Sequence, residues 1–171
     1  LHTLQMTASP SVFPPPRLVG GPRESLLVFS DVHLGSDLND HGPSPRRSHQ
    51  IDRDLERLLR HYGSTPPRNA DRWHVVIAGD FIDFIGMTID EPAQEHGSLT
   101  ALGSQTALTA LTDEERAHGL GNAEDHARQK LARVAARHVS VFEALAAMVA
   151  AGHALTIVHG NHDVDFHWDT L

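Results

Sequence analysis

Three short apolar runs in this 171-residue chain each end in a cluster of residues suited to binding metals, and that repetition limits the fold more than any other feature. Leu26-Leu27-Val28-Phe29 leads into Ser30-Asp31-Val32-His33-Leu34-Gly35. Trp73-His74-Val75-Val76-Ile77-Ala78 leads into Gly79-Asp80-Phe81-Ile82-Asp83, and Ala154-Leu155-Thr156-Ile157-Val158 into His159-Gly160-Asn161-His162-Asp163. Short apolar runs bounded by polar residues read as buried strands. In a mostly parallel sheet the carboxyl ends of such strands meet along one edge, where open α/β sheets build their sites. Asp31 and His33, two residues apart, point to one side of an extended chain, so a carboxylate and an imidazole can share an ion. One Asp-x-His is a weak signal. Three clusters at three strand ends indicate a shared site.

Between these runs the pattern alternates with helix. Ile51, Leu55, Leu58 and Leu59 recur at helical spacing and predict a helix over about His49–Tyr62, stopped at Gly63, after a polar loop over 36–49. Strand, helix and strand make a βαβ unit, whose crossover is right-handed in nearly all proteins. A second apolar stripe (Leu131, Val134, His138, Val141, Leu145, Met148) predicts one long helix over about Ala123–Ala151, ended by Gly152. His138 on that stripe reads as a core or boundary histidine. Thr112 and Glu115 have the spacing of a capping box. Residues 86–122 are otherwise small, polar and glycine-rich, and read as a lid or insertion. Residues 1–24 carry five prolines and Gly20-Gly21 and read as an extended arm, leaving 25–171 as the domain. Because the chain begins at Leu1 and stops at Leu171, the expectation is a fragment of a longer protein.

Composition removes several classes of function. Cysteine is absent, which excludes disulfides and thiolate metal sites. No apolar run approaches the roughly 18 residues that a membrane-spanning helix needs. The formal net charge of −8 argues against a broad nucleic-acid surface. Asp31, Asp80, Asp83 and Asp163 are part of that charge, and if they converge their repulsion calls for a cation. The arm lacks the order of a signal peptide, and the expectation is a cytoplasmic location.

Taken in order, Asp31-Val32-His33, Gly79-Asp80-Phe81-Ile82-Asp83 and Gly160-Asn161-His162-Asp163 resemble the motifs of the calcineurin-like metallophosphoesterases, over about Leu26–Asp163. The resemblance implies an α/β fold: the amino-terminal half of a four-layer α/β/β/α sandwich with a mostly parallel sheet. It implies hydrolysis of a phosphate ester or phosphoanhydride by a water activated between two divalent ions (Mn, Fe or Zn). Asp31 and His33 would hold the first ion, Asp80 would bridge both, and Asn161 would offer its carbonyl oxygen to the second. Gly79 and Gly160 would let the backbone turn sharply. His162 would touch the phosphate or protonate the leaving oxygen, with Asp83 orienting it; the plainer alternative for Asp83 is a cap on the next segment. Asp163 would support the loop or cap a following helix. The substrate would be a phosphorylated small molecule, a nucleotide-lipid or a phosphoprotein.

Asp-Val-His-Leu-Gly with Gly-Asp-Phe-Ile-Asp-Phe is also similar to the branch that includes UDP-2,3-diacylglucosamine hydrolases. Those typically carry Arg where His162 stands, so that substrate is not carried over. The chain departs from the family after Asp163, where an isolated His and a Gly-His-x-His segment are expected; only His167 follows. The half-built sandwich would leave one sheet face exposed. The competing expectation is therefore a non-catalytic metal-binding module that lacks the later histidines.

Overall fold

The computed structural model describes residues 21–38, 45–87, 89, 109–118 and 120–168. The arm up to residue 20, Asp40 and His41, and most of the expected insertion lie outside the described residues. The fold is α/β, with three parallel strands in the order β1-β2-β3: Glu24–Phe29, Arg72–Ala78 and Ala154–Val158. Leu27 pairs with Val75 and Phe29 with Ile77; Val75 and Ile77 then pair with Leu155 and Ile157. The βαβ start expected from the sequence is present.

Among the described residues four helices accompany the sheet: α1 (Pro45–Ser64), α2 (Asp113–His118), α3 (Glu124–Arg137) and α4 (Val139–Ala150). α1 starts four residues before the expected His49, at a proline whose fixed φ suits the first helical position. Of the loop expected over 36–49, the last five residues belong to α1 and Ser36–Leu38 form a 3₁₀ turn. α2 opens with the expected capping box: Thr112 Oγ1 accepts from the Glu115 N–H at 3.2 Å, and Glu115 Oε2 accepts from the Thr112 N–H at 2.9 Å.

Successive strands that lie side by side, joined by right-handed crossovers, place both connections on one face of the sheet. There α1 packs on α4. Leu55 and Leu59 join Val75, Ile77, Val141 and Leu145 in a single core. Alternation along the strands sends the other residues to the opposite face, where Leu26 is 62% exposed, Val28 55% and Val158 48%. That face is apolar and open among the described residues. At its lower end a polar rung crosses the sheet: Arg72 and His74 both bind Glu24, and His74 Nε2 reaches Thr156 Oγ1 at 2.8 Å.

The single helix expected over 123–151 is two helices. The break falls at His138, which ends α3 and begins α4 with φ −112° and ψ 33°. Its ring is buried, and Nε2 accepts the Gly35 N–H at 3.0 Å, so Nδ1 carries the proton that Asp52 Oδ1 accepts at 2.6 Å. Arg137 binds Asp52 Oδ2 at 3.0 Å, Ser48 Oγ at 3.1 Å and Asp37 Oδ2 at 2.6 Å. Asp37 Oδ1, 3.5 Å from His138 Nε2, is buried without a hydrogen bond among the described residues. The physical reason for the break lies in this network: a continuous helix follows its own apolar stripe, whereas the kink aims His138 at the loop after β1. Among the described residues no helix is long and apolar enough to cross a membrane.

Candidate metal centre and acid–base pair

The loops leaving β1 and β2 run side by side. The Asp31 N–H donates to Gly79 O at 3.2 Å, His33 N–H to Asp80 O at 2.9 Å and Leu34 N–H to Phe81 O at 2.9 Å; Asp83 N–H returns a bond to Leu34 O. The resulting zipper includes a bridge between Leu34 and Ile82. Within it Asp31, His33 and Asp80 have φ of 56°, 50° and 51°, the left-handed region that side chains other than glycine seldom enter. Such a conformation costs about 1–3 kcal/mol per residue and persists where neighbours over-determine it. Gly79, with φ 93°, supplies the adjoining turn in that region without the steric cost of a Cβ.

This backbone gathers Asp31, His33 and Asp80 so that one ligand atom of each lies within 4.8 Å of the others. His33 Nε2 is 3.8 Å from Asp80 Oδ2. The Ser30 hydroxyl donates to Asp31 Oδ2. Two carboxylates and an imidazole form a mixed O/N donor set that accepts several divalent ions. A second set of the same kind contains His33, Asp83 and His162. Both draw on His33.

The loop after β3 completes the arrangement. The His162 N–H donates to Asp80 Oδ1 at 3.0 Å, which leaves Asp80 Oδ2 toward His33. Gly160 packs against the same carboxylate so closely that a Cβ there would fall on Asp80 Oδ1 and its backbone N. Its φ is not positive, and what requires glycine at this residue is clearance beside Asp80. Asp163 is fully buried. One oxygen accepts from the Phe81 N–H at 3.1 Å and the Gly160 N–H at 3.0 Å, and the other from the Ile82 N–H at 2.7 Å. It ties the second and third loops together. It makes no side-chain cap to the 3₁₀ turn Val164–His167, so of the two roles considered for it loop support is the one present.

His162 Nδ1 meets Asp83 Oδ1 at 2.9 Å, and its ring stands edge-on to His33 with centroids 4.6 Å apart. The bond to Asp83 raises the imidazole above its ordinary pKa, against a smaller opposing effect of burial. Asp83 Oδ1 also accepts the Gly86 N–H at 3.1 Å, so the carboxylate caps its own turn as well as holding the histidine. Asn161 is exposed on the same loop, next to Gly160. His159 stacks loosely on Phe166, and His49 is exposed on α1. Asp37, after the first motif, binds Arg137.

Lys130 was not singled out in the sequence, although it lies between Ala127 and Val134 on the inward stripe of α3, where a charged residue is itself a signal. Its ammonium donates to Phe84 O at 3.2 Å and is 4.0 Å from Asp165 Oδ2. Burial lowers the lysine pKa and raises that of Asp165, and in each it outweighs the attraction between them. A cavity of about 480 Å³ beside the pair is lined by Phe84, Ile85, Lys130, Val164 and Asp165 and holds none of the gathered ligand atoms. A groove of about 460 Å³ on the other flank, between Phe29, Ile51 and Leu55, reaches Asp31. Comparison with family models, with curated proteins and with solved structures found no match to this chain.

Proposed function

We infer that this chain carries the first half of a calcineurin-like metallophosphoesterase centre and that it hydrolyses phosphate esters or phosphoanhydrides. The observation that carries the reading is a single juxtaposition. The Asp31–His33–Asp80 donor set and the Asp83–His162 pair meet at the ends of three parallel strands, His33 and His162 in ring contact. The open apolar face supports the half-sandwich reading, because it is the face a second sheet would cover.

Divalent ions such as Mn²⁺, Fe or Zn²⁺, when bound, would supply an acidified water and neutralise the phosphoryl oxygens. Asp31, His33 and Asp80 would hold them, with Asn161 as a further oxygen donor. As the bond from phosphorus to the leaving oxygen breaks, His162 gives that oxygen its proton from Nε2. Asp83 holds Nδ1, fixes the ring plane and favours the charged imidazole. Phosphorylated small molecules, nucleotide-lipids and phosphoproteins are the substrate classes in view, and a cytoplasmic setting is part of this reading.

One observation favours a second reading, a metal-binding module without turnover. Among the described residues both three-residue donor sets share His33, so two ions would compete for one imidazole. Hydrolysis of p-nitrophenyl phosphate and of its bis-ester, with and without Mn²⁺ and beside an Asp80→Asn control, separates the two. Metal-dependent turnover that the control loses supports the enzyme. Mn²⁺ binding with no turnover supports the module.

A further inference from the structure

We propose that His138, held by Asp52, is a positioning residue for the candidate metal centre: it fixes the far end of the loop that carries Asp31 and His33. This rests on the metal-binding reading above and extends it to residues that touch no ion. The near end of that loop is fastened by its zipper to the β2 loop, with bonds from Asp31, His33 and Leu34. Beyond Leu34 the zipper stops, and the next backbone N–H, that of Gly35, points to His138 Nε2 at 3.0 Å. Two residues further on, Asp37 is gripped by Arg137, the neighbour of His138. Left-handed backbone at Asp31 and His33 relaxes toward commoner conformations unless both ends are held.

The tautomer makes this more than packing. His138 serves as an acceptor at Nε2 only while its proton stays on Nδ1, and Asp52 Oδ1, 2.6 Å away, keeps it there. Arg137 fixes Asp52 in turn, and Ser48 fixes Arg137. The chain of contacts runs from α1, through the break between α3 and α4, to an amide two residues from His33. Its acidic and imidazole members are shielded from water: His138 is 2% exposed, and the side chains of Asp37 and Asp52 are 3% and 9% exposed, with Arg137 at 19%.

The test is Mn²⁺ titration of the full chain, with folding followed by circular dichroism. His138→Leu removes the acceptor and is expected to raise the Kd for Mn²⁺ about tenfold, the scale of losses when an outer support of a metal site is removed. In His138→Gln the amide oxygen reaches toward the same N–H, and affinity is expected to return to within about threefold of the parent. Met148→Ala truncates the core at the Gly63 end of α4 and is expected to lower the melting temperature without moving the Kd. Parent-like affinity in His138→Leu, or an equal loss in Met148→Ala, overturns the proposal and leaves the metal centre standing. No Mn²⁺ binding by the parent chain overturns the metal reading and this inference with it. If His138→Leu does not fold, Asp52→Asn carries the test, since it removes the charge facing Nδ1 at constant shape. Weaker Mn²⁺ binding there supports the proposal, and unchanged binding overturns it.

Discussion

The Asp31–His33–Asp80 set and the Asp83–His162 pair stand within one ring contact of each other, yet they are held by opposite means. The first is built on strained backbone: three residues with positive φ, kept in place by a zipper between two loops. The second is built on ordinary backbone with side-chain contacts of close tolerance: Asp83 on His162, Asp163 on three amides, and Gly160 clearing the Asp80 carboxylate. Stored strain suits groups that must hold a fixed geometry around an ion. A hydrogen-bonded pair suits a group that must exchange a proton. The difference teaches that damage to the two halves should look different: loss of metal in one, loss of turnover in the other.

The largest expected effect is at Asp80, a member of the first set that also accepts the His162 N–H of the second. Asp80→Asn is expected to weaken Mn²⁺ by more than about 100-fold and to abolish hydrolysis, measured by calorimetry and by p-nitrophenol release. Gly160→Ala should come next. Its methyl group must displace either Asp80 or the β3 loop, so metal affinity and turnover are expected to fall together, with partial loss of melting temperature. His162→Ala is expected to lower turnover by about 10²–10⁴-fold while Mn²⁺ affinity stays near that of the parent. Should it lose the ion as Asp80→Asn does, the His33–Asp83–His162 set is the ion site and the division between halves dissolves.

The smallest effect sharpens the second half alone. On the proposed reading the acid works only when protonated, and the bond to Asp83, which raises the pKa of His162, should extend activity to higher pH. Asp83→Asn removes that support, so the alkaline limb of the pH–rate profile is expected to move to lower pH. A limb that stays in place assigns the acid to another group. The same raised pKa stabilises the folded chain below the unfolded-state pKa of His162, and that contribution fades as pH rises through the folded value.

Much of this was legible in the sequence because it is local. Apolar runs marked β1, β2 and β3, the stripe of Ile51, Leu55 and Leu58 marked α1, and Thr112 with Glu115 marked the start of α2. The clustering of Asp31, His33, Asp80, Asp83 and His162 followed from parallel strands ending at one edge. What escaped is what depends on partners distant in the chain. An Ala- and Val-rich stretch gives no local reason to break at His138; the reason is an amide of the β1 loop. Gly160 reads as a turn residue until β2 and β3 are paired, and only then does the nearness of the Asp80 carboxylate show that space is what it provides. Left-handed φ at Asp31, His33 and Asp80 is set by the zipper, and residue type alone does not reveal it.

The site draws on the loops after all three strands, with Asp80 in the middle accepting one hydrogen bond from the third loop and another from the first. By mass action, an ion that binds only this assembled state raises the free energy of unfolding by RT ln(1 + [L]/Kd). Such an ion, held by Asp31, His33 and Asp80, would also favour the β3 loop through the His162 bond to Asp80. Its concentration would then act as a ligature on the sheet, and the melting temperature of the whole chain would become a readout of how many of its strands are in place.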